Sequence, residues 1–111
     1  MFETGELRKA KRELLDTIDH YSWAAAKGEF DNAERFEACA SGITFAAARY
    51  GELGGDVERL IRKCRSRVKA KFDAVEAEYC SRTGRLLFAD SRRETDRVVE
   101  SVVSIVRYRY A

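Results

Sequence analysis

No proline interrupts the 111 residues of this chain, and that absence constrains the fold more than any motif it carries. A proline inside a helix removes an amide donor and clashes with the preceding turn, so its lack leaves long helices open to the chain. Abundant Ala, Glu, Lys and Arg push the same way, favouring helix over strand. Apolar residues spaced by three and four then predict where the helices run.

The first helix is expected from about Thr4 to Lys27, with Leu7, Ala10, Leu14, Ile18, Tyr21 and Ala25 on one stripe. Gly28 suits the left-handed residue that closes a helix. Asp31 is the expected cap of the second helix, with Glu34 three residues on and Phe30 placed as a hydrophobic staple. That helix is apolar almost all round. Phe36, Cys39, Ala40, Ile43, Ala47 and Tyr50 share one face, and Ala38, Ser41, Gly42, Phe45 and Ala48 the other. Such a pattern predicts a central helix buried on two sides. Gly51, Gly54 and Gly55 end it.

A third helix, capped by Asp56, is expected to run unbroken to about Arg82, before Gly84. Val57, Leu60, Ile61, Cys64, Val68, Phe72, Val75 and Tyr79 form its stripe. About 27 residues make a rod of ~40 Å, longer than a round monomer of ~13 Å radius of gyration comfortably covers. Either the bundle is elongated or a second copy covers the overhang. In the connection 84–90, Leu86, Leu87 and Phe88 are expected to tuck under the bundle. Ser91 and Glu94 form a second capping-box candidate, and Val98, Val99, Val102, Val103 and Val106 follow at helical spacing. Residues 104–110 also alternate at period two, which leaves a strand open there. The fold class expected is all-α: one domain over residues 1–111, an elongated bundle of about four helices, three long and one shorter at the C-terminus.

Residues 28–40 resemble the turn between the two helices of a tetratricopeptide repeat, with Gly28, Phe30, Ala33, Phe36 and Ala40 at its small and aromatic positions. The resemblance implies a helical hairpin. It extends no further: Tyr21 stands where that family has a small residue, no proline closes the unit and no second copy follows.

The chain is 45% hydrophobic and 36% charged, too apolar for a disordered segment. No run approaches the ~18–20 apolar residues of a membrane span, and the polar start lacks a signal-peptide core. A cytoplasmic location with no membrane partner is the expectation. Cys39, Cys64 and Cys80 are odd in number and form no paired motif, so they read as reduced thiols. His20 is the single histidine. With Asp16 and Asp19 it offers three donors from one helix, too few elements for a metal site. No nucleophile has a positioned base and no phosphate-binding glycine signature occurs, so neither enzyme activity nor a cofactor is expected.

Charge is divided along the chain. Residues 1–58 hold 7 Lys/Arg against 12 Asp/Glu, and residues 59–111 hold 14 against 7. Arg59, Arg62, Lys63, Arg65 and Lys69 spread over the face opposite the third stripe, with Arg67 and Lys71 beside them. Arg82, Arg85, Arg92, Arg93 and Arg97 extend the basic character around the next turn. Trp23 lies opposite its own stripe, set either for a partner or beneath the turn against Phe30. In the tail, Tyr108 stands between Arg107 and Arg109, with Tyr110 beyond, a mix of cations and rings.

The function expected is non-enzymatic: a small adaptor, inhibitor or regulator. The five cations would dock an acidic protein surface while Trp23 and Tyr108 anchor the pose. An alternative places the same cations on nucleic-acid phosphates. Another makes the chain a structural subunit, a homodimer or small oligomer, whose acidic half meets the basic half of the next copy.

Overall fold

The computed structural model describes residues 4–88 and 90–110, except the side chains of Arg109 and Tyr110. Among the described residues the elements are helical throughout, without a strand. They are α1 (Gly5–Ala26), a 3₁₀ turn (Glu29–Asp31), α2 (Ala33–Glu52), α3 (Val57–Lys63), α4 (Arg65–Thr83), α5 (Ser91–Ile105) and a π-helical turn (Val106–Tyr110). The bundle measures 49 × 30 × 19 Å, with a radius of gyration of 14.8 Å.

Side-chain caps fix the helix starts. The Thr4 hydroxyl accepts the Leu7 amide at 3.0 Å and Asp56 Oδ1 accepts the Arg59 amide at 3.1 Å, the latter as the sequence predicts. Two other caps differ from expectation by one residue. Asn32, not Asp31, accepts the Arg35 amide at 3.2 Å, because Asp31 is taken into the 3₁₀ turn. Asp90, not Ser91, accepts the Arg92 and Arg93 amides at 3.0 and 3.3 Å. Neither helix therefore has its predicted capping box. Gly28 (φ 71°) and Gly84 (φ 72°) take left-handed conformations at helix ends.

The α1–α2 hairpin is present, fastened by a cluster of rings. Phe30 lies 4.7 Å from Tyr21 and edge-on to Phe36 at 5.5 Å. Phe30 thus reaches the fourth residue of α2 from two positions before the Asn32 cap, one position earlier than a staple.

The uninterrupted rod over residues 56–82 is not found. It breaks at Cys64, which ends α3 and precedes α4. There the amide turns to the Ile61 carbonyl at 3.0 Å and the thiol donates to the Leu60 carbonyl at 3.2 Å. The physical reason is that the two halves have different neighbours. α3 buries Val57, Leu60 and Ile61 against α2 and α5, whereas α4 buries Val68, Phe72 and Val75 against α1 and α5.

The central place also differs. α2 buries only Ala40, Ile43, Ala46, Ala47 and Tyr50, and on its other face Phe45 is 80% exposed. α5 is the helix in contact with all the others, through Thr95, Val98, Val99, Val102, Val103 and Ile105. Residues 104–110 continue it as helix, not strand. In the 84–90 connection Phe88 packs on Phe72 at 5.1 Å, but Leu86 is exposed and Leu87 partly so. Buried hydroxyls are satisfied locally: Ser22 donates to the Ile18 carbonyl and Thr95 to the Ser91 carbonyl, both at 2.7 Å.

Candidate functional site

The cations of α3 and α4 are the first candidate, and the fold gives most of them an internal carboxylate. Arg62 reaches across to Glu100 of α5 at 2.8 Å and to Glu58 on its own helix at 3.3 Å. Arg65 binds Asp96 of α5 at 2.7 Å, and Lys69 binds Asp73 one turn on at 2.8 Å. Arg67 forms a two-point contact with Asp19 of α1, both distances 2.8 Å, and Lys71 approaches the same carboxylate at 3.8 Å. These carboxylates hold the Arg62, Arg65 and Arg67 guanidiniums above their ordinary basicity, chiefly by accepting their hydrogen bonds. Arg59 and Lys63 are exposed and have no ion pair among the described residues. The predicted patch is therefore two separate outcomes: Arg62, Arg65 and Lys69 join α3 and α4 to carboxylates of the same chain, and Arg59 and Lys63 face outward.

Among the described residues the ring contacts of Phe30 are with Tyr21 and Phe36. Trp23 is half-buried at the edge of the core, with Lys27 Nζ 5.1 Å and Lys71 Nζ 5.9 Å from its ring. Tyr108 stands 85% exposed on the C-terminal turn. That turn is tied to α3 by Arg107, whose guanidinium donates to the Glu58 carboxylate at 2.6 Å. The bond holds the Glu58 carboxyl below the usual carboxylate range, with Arg62 adding to the effect. Arg109 and Tyr110 lie outside the described side chains. Asp19, one of three donors the sequence places together, is engaged by Arg67 and Lys71, and no group of three or more metal donors occurs among the described residues.

Sequence reading missed a hollow where the end of α1 meets α4 and the connection after it. It encloses about 520 Å³, floored by Ala25, Val75 and Phe88 and edged by Leu87, Tyr79, Lys27, Arg82 and one acid, Glu78. Glu76 shapes this rim by accepting the Leu87 and Phe88 amides at 2.7 and 3.2 Å. With these bonds made and Phe88 seated on Phe72, Leu86 is left 76% and Leu87 39% exposed. Arg82 also stands 6.0 Å over the Tyr79 ring. The signal was in the sequence, since three consecutive apolar residues follow a helix-ending glycine. What it did not carry was that a carboxylate eleven residues earlier would bind their backbone.

No protein-family model, curated protein or solved structure gives a significant match to this chain. No helix among the described residues is long and apolar enough to cross a membrane.

Proposed function

We propose that this chain is a non-enzymatic protein-binding module, an adaptor, inhibitor or regulator, that captures an acidic amphipathic segment of another protein in the hollow between α1 and α4. Apolar side chains of the partner enter between Leu87 and Phe88, and its acidic side chains meet Lys27 and Arg82. The observation that carries this reading is the exposure of Leu86 and Leu87 on a connection pinned by Glu76, beside an apolar-floored hollow. Exposed apolar groups held in place beside a concave surface favour contact with another macromolecule. Three unpaired thiols fit a reducing, cytoplasmic setting.

This moves the binding site from the cationic face of α3 and the first half of α4 to the far end of α4. Cations that already meet a carboxylate offer less net field to an acidic surface. The phosphate-binding alternative keeps Arg59 and Lys63 as its unpaired contacts.

The test is capture from a lysate of the source cell with the purified chain as bait. The expected result is a defined partner that is lost with Leu87→Asp and weakened by Lys27→Glu/Arg82→Glu, but kept by Arg59→Glu/Lys63→Glu. A partner lost only with the last variant would overturn the hollow. A salt-sensitive gel shift with unrelated DNA or RNA, abolished by Arg59→Glu/Lys63→Glu, would transfer the function to nucleic acid.

A further inference from the structure

The second unpartnered surface is on α2, which lines no part of the hollow above. Phe45 projects from it, 80% exposed, over a groove of about 490 Å³ shared with α1 and lined by Glu13, Thr17, Gly42 and Ala46. A smaller hollow of about 240 Å³, between His20, Arg35, Ala38 and Gly42, lies on the other side of Gly42. Gly42 has no reason within the chain to be a glycine. A Cβ there would meet only Thr17 Cγ2 at 3.8 Å, an ordinary contact, while a mid-helix glycine weakens a helix relative to alanine. An open aromatic thus stands one turn from a glycine that leaves room in the groove between α1 and α2.

The charges outboard of this pair decide the occupant. Seven residues, or two turns, separate Gly42 from Arg35, and the same seven separate Phe45 from Glu52. Antiparallel packing of two α2 helices that sets Phe45 over Gly42 therefore brings Arg35 of one copy, which also meets its own Glu29 at 3.7 Å, level with Glu52 of the other. Glu34 and Arg49, both exposed, fall into the same two end clusters. Each cluster holds Glu29, Glu34 and Arg35 of one copy and Arg49 and Glu52 of the other. The surface complements itself under a two-fold axis, as an isologous interface requires, and antiparallel helix dipoles favour that orientation.

We propose that the exposed face of α2 is a homodimer interface, crossing antiparallel about a two-fold axis near residues 43–44, with each Phe45 seated over the partner's Gly42. The occupant is a second copy of this chain.

Mass measured by sedimentation or light scattering across the micromolar range tests it. The expected result is a concentration-dependent rise from 12.7 kDa toward twice that value. Phe45→Arg should hold the chain monomeric at every concentration with an unchanged helical circular dichroism spectrum, since the side chain is outside the core. Gly42→Leu should raise the dissociation constant at least ~10-fold, as expected for blocking the seat of an aromatic anchor. Glu52→Arg should weaken the dimer, and adding Arg35→Glu should restore it. A monomer at the highest concentration would overturn the proposal. So would a dimer indifferent to both Phe45→Arg and Gly42→Leu.

Discussion

Gly55 lies so close to the Tyr50 ring that a Cβ built on it would fall among the ring atoms. Tyr50 is 8% exposed and packed in the core, so the ring has little room to swing away. Gly55→Ala is expected to cost about 1–3 kcal/mol by overpacking, read by urea unfolding, and Tyr50→Leu in the same chain should recover part of it. Asp19 works on the same scale. Its two-point bond to Arg67 joins α1 to α4 across 48 residues of sequence, and Asp19→Ala should lower stability by about 1 kcal/mol, or ~4 °C in melting temperature. From sequence Asp19 was one of three neighbouring donors, and a partner 48 residues away leaves no local trace. The caps show a related limit. Asp56 was legible because no second capping residue adjoins it, whereas Asp31 with Asn32, and Asp90 with Ser91, offer two each and the turn geometry chooses.

The break at Cys64 is the feature of the elements that periodicity concealed. The apolar repeat runs through it in phase, so a wheel sees one helix, while the neighbours of each half decide that there are two. Gly28 and Gly84 were readable because their conformations are local. The small-residue face of α2 was misread as buried because apolar character does not say whether a neighbour exists within the same chain. Burial pushes the Cys64 thiol up, so it should resist alkylation until the protein unfolds. Exposed Cys80 should label first and half-buried Cys39 more slowly, an order that mass spectrometry of a timed reaction can read. The C-terminal turn has its own pH signature. Its Arg107 bond lowers the Glu58 carboxyl, so the folded chain holds the ionised form more tightly than the unfolded chain does. The stability this lends is present above the ordinary carboxylate range and is lost as pH falls through the lowered folded value. Carboxyl-carbon NMR should show Glu58 titrating low, and returning toward normal in Arg107→Ala.

On the scale of the whole molecule, the charge asymmetry visible in sequence becomes a set of ion pairs across the bundle. Arg62 and Arg65 bind α5, Arg67 binds α1 and Arg107 returns to α3. Moderate salt should therefore lower the melting temperature, because it screens attractions. A free basic face would show the opposite sign, its repulsion relieved by salt. The all-helical fold follows from the missing prolines and the apolar spacing. The recognition surfaces do not, because they depend on which apolar residues the tertiary packing leaves uncovered.

Recognition through the hollow, with the α3–α4 cations serving the fold, is tested most directly by site-specific photocrosslinking in the source cell. One photoreactive side chain replaces Leu86, and in a parallel sample one replaces Arg62. A discrete adduct from position 86 and none from position 62 is the predicted result. An adduct from position 62 alone would contradict it.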